Sequence, residues 1–324
     1  MEILFWPAVF IITLAALIKS ADIFTDNAEK IGLHFRISPF IIGVTIIALG
    51  TSLPELASSI AAVLDGNSEI VVGNVVGSNM ANILLVLAIT AIVGKHLFVD
   101  KDIINIDLPI LLGSSIFLFL STLDGEFGMF EGILGVLMLA TYLIYNAKSH
   151  REISPLEKQK LQKEKQEIKK EEKRGRLPIK YPIFLLLSGL ILSISAKYLI
   201  TSVTELSTML KIGTEVIALS LVAVGTSLPE LVVSIVAIKK GKADIAIGNV
   251  TGSNIFNALG VMGIPALFGT LTIPPDIIAF SIPALLFTTI LYLFVTMDKQ
   301  VSQWEGITLL LLYVAFMGKI FGLI

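Results

Sequence analysis

The stretch GTSLPEL at residues 50–56 cuts an apolar run in two, with FIIGVTIIAL at 40–49 before it and ASSIAAVL at 57–64 after it. The same seven residues recur at 225–231, so whatever explains two hydroxyls, a proline and a glutamate in this setting must explain a pair. Pro54 lacks the N–H that would bond the Gly50 carbonyl, and its ring clashes there, so a helix crossing this stretch is expected to break near 50–53. Ser52-x-x-Glu55 has the spacing of a capping box, and Pro54 suits a first helical turn. The break should leave freed carbonyls near Ala48 to Thr51 on one side and a helix N-terminus on the other, with Ala223 to Thr226 as the second copy. At membrane depth, non-helical backbone is tolerated only when buried in protein or lining a cavity.

Composition supplies that membrane. The chain has 324 residues, 55% hydrophobic and 15% charged, with a net charge of −2, and a mean hydropathy of +0.87. Soluble domains carry about 25% charged residues. A bilayer crossing needs about 20 apolar residues, and ten stretches qualify: 4–20, 39–64, 70–94, 106–122, 129–147, 180–200, 213–238, 245–268, 277–297 and 303–322. No room remains for a soluble catalytic domain. The first stretch lacks the positive flank of a signal peptide and reads as a helix. With no cysteine, disulfides and thiolate metal sites are excluded. His34, His96 and His150 fall near span ends and read as solvated residues.

Adding 175 to a residue number in the first half lands on its counterpart in the second. GNVVGSNMAN at 73–82 becomes GNVTGSNIFN at 248–257, and 19 of 33 positions across 50–82 are identical without a gap. Ser20-Ala21 against Ser195-Ala196 extends the register backward, and FEGI at 130–133 against WEGI at 304–307 extends it forward at an offset of 174. The expected fold is therefore all-α, ten transmembrane helices as two five-helix repeats, 1–147 and 180–324. Five is odd, so the second repeat enters from the opposite side and is inverted, an arrangement common in secondary transporters whose sites lie near the midplane. The intervening segment 148–179 belongs to a charge run, with twelve Lys/Arg and six Glu between 148 and 180, and reads as a solvated cytoplasmic linker attracted to anionic lipid. Of the 24 Lys/Arg, 21 fall on the linker side, so both termini are expected outside a multi-pass cell-membrane protein.

A glutamate at mid-span costs about 2.5–3.5 kcal/mol on insertion scales. A serine or threonine would cap a half-helix more cheaply, so Glu55 and Glu230 read as a functional pair. The glycines of Gly73-x-x-x-Gly77 and Gly248-x-x-x-Gly252 suit close helix approach. They leave the polar residues of both motifs unexplained. Ser78 and Asn82 share a helix face, as do Ser253 and Asn257. Those faces are expected to look at the broken helices, while Asn74, Asn79, Asn249 and Asn254 support the fold. Two carboxylates, the hydroxyls of Thr51, Ser52, Thr226, Ser227, Ser78 and Ser253, the amides of Asn82 and Asn257, and freed carbonyls make an all-oxygen set. Such sets suit hard cations; Ca²⁺ takes 6–8 oxygens, whereas zinc and copper prefer nitrogen or sulfur. Na⁺ accepts the same ligands and protons compete for the carboxylates. If only loaded forms switch sides, competition for one cage suffices for antiport.

At these residues the chain resembles the cation/calcium exchanger superfamily, specifically the prokaryotic sodium/calcium exchangers. The paired GTSLPE and GNVxGSN motifs carry the resemblance, which covers essentially the whole chain. It implies that Glu55 and Glu230 ligate Ca²⁺ with backbone oxygens of Thr51 and Thr226. It also implies Na⁺ sites built from Ser52, Ser78, Ser227, Ser253 and the carbonyls of Ala48 and Ala223. Potassium-dependent members, and some prokaryotic ones, have an aspartate where this chain has Asn257, which argues against K⁺ cotransport. The acidic-histidine motifs typical of proton/calcium exchangers are absent, which favours Na⁺ as counter-ion.

The expected activity is thus Na⁺/Ca²⁺ antiport, as Ca²⁺ efflux driven by Na⁺ influx, with H⁺/Ca²⁺ antiport on the same scaffold as the nearest alternative and a Ca²⁺-permeable channel as a further one. An intramembrane hydrolase is disfavoured, because no mid-span histidine or lysine could activate a serine. The protein is not expected to be an enzyme or to need a cofactor. Its expected partners are Ca²⁺, Na⁺ and lipid, with no nucleic acid, and it is expected to work as a monomer.

Overall fold

The computed structural model of the chain describes residues 2–35, 37–99, 103–148, 177–209 and 225–323. Helix α1 runs Glu2–His34, well past the expected end at residue 20. Its polar second half stays helical because Thr25 and Asn27 bond their own backbone at Ala21 and Ile23. Helix α2, Pro39–Thr51, starts where Ser38 Oγ accepts the Ile41 N–H at 3.3 Å, and carries a π turn at Gly43–Ile47. Helix α3, Leu53–Leu64, follows at a 41° bend. The break sits on Ser52, as Pro54 requires.

The capping box does not form. Ser52 is the N-cap of α3 but makes no side-chain cap bond, and neither Glu55 oxygen has a hydrogen-bond partner. Ser227 caps its helix without a side-chain bond as well. The serine and glutamate face inward instead.

Helix α4, Glu69–Gly94, turns through a π segment at Asn82–Leu87. Helix α5, Leu108–Ser121, is entered through a π segment at Ile103–Asp107, and α6 is Met129–Lys148. In the second half, α7 is Lys180–Met209 and α8 is Leu228–Lys239. Helix α9, Ala243–Phe256, continues through the π segment Asn257–Val261 into Met262–Ala266. Helices α10, Ile277–Thr296, and α11, Gln303–Ile320, close the chain. Six of these helices are long and apolar enough to cross a membrane, seven if α2 and α3 count as one span. Of the three other expected spans, 213–238 is described only from residue 225. Helix α9 is interrupted by Asn249, Ser253, Asn254 and Asn257, and α11 carries Glu305 and Lys319 at its ends.

Residues 174 or 175 apart occupy matching places. Strand β1 (His96–Phe98) pairs antiparallel with β4 (Gln300–Ser302), and β2 (Glu126–Phe127) with β3 (Leu271–Thr272). Asn74 Nδ2 donates to Ser59 Oγ at 3.3 Å, and Asn249 Nδ2 to Ser234 Oγ at 3.0 Å. The π segments begin at Asn82 and Asn257, and at Ile103 and Ile277.

Helices α4 and α9 form the centre of the bundle: 83% of the most apolar stretch of α4 is buried, against 28–33% for the other five spans, and every residue of α9 from 245 to 263 is buried. The two glycine motifs part company here. A Cβ on Gly252 would sit 2.3 Å from the Val44 carbonyl oxygen and one on Gly248 2.6 Å from that of Phe40, so α9 lies directly against α2. Nothing lies within 4 Å of a Cβ on Gly77, so the close approach expected there is not made.

Candidate functional site

The break at Ser52 turns its hydroxyl across the molecule, where it donates to Glu230 Oε1 at 3.2 Å. Glu55 is 2% exposed and Glu230 1%, so neither faces lipid, and the Ser52 bond brings Glu230 to the break three residues before Glu55. Thr51 is buried and donates to Asn249 Oδ1 at 3.3 Å, while Asn249 Nδ2 donates to the Glu230 carbonyl at 3.2 Å. Asn249 thus ties both breaks together. Asn79 Nδ2 donates to the Asn254 carbonyl at 3.2 Å, joining α4 to α9. Of the four asparagines expected to support the fold, Asn74, Asn79 and Asn249 use their side chains to join helices, whereas Asn254 offers its backbone carbonyl and its own amide bonds Val250 within α9.

Ser78 on α4 shares a hydrogen bond of 3.1 Å with Thr226 Oγ1, where either oxygen can donate. Thr226 itself is exposed, unlike Thr51, and borders two cavities. One, of about 630 Å³, also reaches Glu55, Ser58 and Lys197. The other, of about 620 Å³, also reaches Ser58, Asn74 and Ser78. Ser227, Ser253, Asn82 and Asn257 are buried, and their side-chain polar atoms make no hydrogen bond. Both oxygens of Glu55 and Oε2 of Glu230 are in the same condition.

Buried polar atoms are normally paired, and an unpaired one costs about 1–3 kcal/mol. Asn79 Oδ1 and Asn254 Oδ1 are unpaired as well, so two carboxylates, four amides and two hydroxyls have unpaired atoms around two helix breaks and mark a site made for something that supplies positive charge to oxygen. Asn82 and Asn257 each open a π segment, a distortion frequent at functional sites. Among the described residues no group of three or more His, Cys, Asp or Glu could hold a metal ion, so the acidic part of the site is this pair.

Two expected ligands fare differently. The Ala48 carbonyl is not freed: it accepts the Ser52 N–H at 3.1 Å and lies 3.3 Å from the Thr51 hydroxyl, whose one proton it shares with Asn249 Oδ1. Pro54 removes the donor for Gly50, four residues before it, and leaves the Ala48 bond in place. Ala223 lies outside the described residues. Reading the sequence for acids and motif hydroxyls passed over Ser58, which lines both cavities, and Ser59 and Ser234, which anchor Asn74 and Asn249. The identity of Ser59 and Ser234 across the repeat was the available signal.

An all-α, multi-pass bundle around a paired-carboxylate, oxygen-only centre defines a membrane transporter for hard cations. The chain belongs to the sodium/calcium exchanger protein family, whose model matches residues 5–148 and 180–321. It is 33% identical to the sodium/calcium exchanger MaX1 of Methanosarcina acetivorans over 97% of each chain. It is 31% identical to the inner membrane protein YrbG of Escherichia coli K12, over 94% of this chain and 92% of that one. Among solved structures it resembles the sodium-calcium exchanger NCX_Mj soaked with zero Na⁺ and Ca²⁺, with a TM-score of 0.80 and 29% identity over 99% and 100% of the two chains.

Proposed function

We propose that this chain exchanges Na⁺ for Ca²⁺ across the membrane by alternating access, moving Ca²⁺ out as Na⁺ enters. The observation that carries the reading is the pair Glu55 and Glu230, buried together with unpartnered oxygens where the two helix breaks meet. Family membership and the likeness to MaX1 and NCX_Mj support the choice of ions.

Ca²⁺ is ligated by both carboxylates, with oxygens of Thr51 and Thr226 completing its shell. Na⁺ ions use the hydroxyls of Ser52, Ser78, Ser227 and Ser253, with Asn82 and Asn257 facing the same space. Ser52 can keep its hydrogen bond to Glu230, and Ser78 its bond to Thr226, while ligating a cation, since a hydroxyl that donates elsewhere still offers lone pairs. One Ca²⁺ balances two carboxylates. Left unbalanced, the pair resists transfer through a dehydrated intermediate, because each ion loses its hydration without gaining a partner. Only loaded forms then cross, and exchange follows.

The same reading takes the chain as ten spans in two inverted repeats, 1–147 and 180–324, working as a monomer. The termini lie outside and the 148–179 linker in the cytoplasm. The matched hydrogen bonds, π segments and strand pairs at an offset of 174–175 support the repeat. The charge bias among Lys and Arg supports the orientation.

The test is Ca²⁺ uptake into Na⁺-loaded proteoliposomes with the pH gradient collapsed. Uptake that requires internal Na⁺ is expected. Uptake that follows only a proton gradient would replace Na⁺ by H⁺ as counter-ion, and conductance without any counter-ion would make the protein a channel.

A further inference from the structure

The two ends of the bundle differ in their ion pairs. Just past α8, Lys240 Nζ lies 2.6 Å from Asp22 Oδ1 and 2.6 Å from Asp26 Oδ1, and donates to the Asp22 carbonyl at 3.2 Å. Lys242 pairs with Glu29 and stands 3.7 Å from Asp26. Beneath these pairs Leu17, Ala21, Phe24 and Ala28 of α1 share one buried apolar cluster with Val233, Val236 and Ala237 of α8. That end is shut by packing and tied by charge.

The register between the halves carries Asp22 to Lys197 and Lys240 to Asp65, each charge replaced by its opposite. Both residues are exposed, and among the described residues neither is in an ion pair. Lys197 sits on α7 and Asp65 caps α3. Between these helices lies the cavity of about 630 Å³ that Lys197 lines together with Pro54, Glu55 and Ser58. Where one end has apolar contact and joined charges, the other has a cavity and separated ones.

We propose that Asp65 and Lys197 form the reciprocal ion pair when α7 closes against α3, while Lys240 and Lys242 release Asp22, Asp26 and Glu29. This rests on the alternating-access reading. A carrier with exchanging halves must repeat on each side what it undoes on the other, and opposite charges at both places preserve the pair through the swap. The two ties are unequal. Lys19, Asp26, Glu29 and Lys242 correspond to Ile194, Thr201, Thr204 and Asn67, so a single pair opposes a network of three lysines and three carboxylates, Lys19 joining it 3.2 Å from Asp22 Oδ2. The empty carrier therefore favours the arrangement described here, and bound ions must supply the bias that overcomes it.

The chain has no cysteine, so paired cysteines report on the two ends in full-length protein in proteoliposomes. Asp22→Cys with Lys240→Cys, and Asp65→Cys with Lys197→Cys, are treated with a short bis-methanethiosulfonate, which joins the two thiols through reducible disulfides. The 22–240 link is expected to dominate without ions, the 65–197 link to rise as it falls under exchange conditions, and either link to arrest transport until reduced. Separately, Asp65→Lys should slow exchange about two- to fivefold, the range an exposed ion pair supports, and adding Lys197→Asp should restore it. A 65–197 pair that never links while exchange proceeds, or a double reversal no faster than Asp65→Lys alone, overturns the proposal. Reciprocal linking in a protein that moves Ca²⁺ without Na⁺ would instead keep the latch and overturn the choice of counter-ion.

Discussion

Glu55 and Glu230 divide their roles unevenly: Glu230 already accepts a hydrogen bond from Ser52, whereas Glu55 has no partner and borders a cavity. A glutamine at either place keeps the shape and removes one of the two charges that balance Ca²⁺. Glu55→Gln and Glu230→Gln should each abolish Ca²⁺ transport, a loss of at least a hundredfold in uptake rate, while the protein still inserts and elutes as folded material. Asn257→Asp adds a third acid to the same space, so its uptake should depend differently on Na⁺, K⁺ and pH; unchanged kinetics in all three would place Asn257 outside the site. The residue types of the site were legible because each motif occurs twice, and chance does not repeat a costly glutamate at one register. Their wiring was not. A capping box and an inward-facing ligand have the same spelling, Ser-x-x-Glu, and only the surrounding helices decide which way Ser52 and Glu55 turn.

Among the elements, the two glycine motifs make opposite predictions despite near-identical sequence. Gly252→Ala brings a methyl to within 2.3 Å of the Val44 carbonyl oxygen, against backbone that cannot rotate away. It should cost about 1–3 kcal/mol, as overpacking does, seen as a lower midpoint of thermal unfolding in detergent. Gly77→Ala meets nothing within 4 Å and should leave that midpoint unchanged or slightly higher, since alanine favours a helix. An equal loss in both variants would contradict the asymmetry between α4 and α9. Hydropathy placed these helices well, because apolar length is what a bilayer selects. It misjudged α1, whose second half carries Asp22, Asp26 and Glu29, because acids that pair with Lys240 and Lys242 from a distant loop look like a loop when read alone.

For the molecule as a whole, the repeat at an offset of 175 was the most informative feature of the sequence. It led to the expectation of a midplane site between two broken helices, and the matched contacts of the structure follow the same register. It could not reveal that the two ends would differ, because equal sequence fixes equal possibilities and a conformation chooses between them. The orientation is open to direct labelling: cysteines at Glu2→Cys and Leu323→Cys should react with an impermeant maleimide from outside intact cells, and Ser154→Cys only after lysis. The central claim is that Ca²⁺ and Na⁺ compete for one cage centred on the glutamate pair. Calorimetric Ca²⁺ titration of the purified protein, with and without Na⁺, tests it most directly. One Ca²⁺ per chain is expected, with an affinity that weakens steadily as Na⁺ is added and no binding in Glu55→Gln or Glu230→Gln. Calcium binding indifferent to Na⁺, or preserved in either variant, would contradict it.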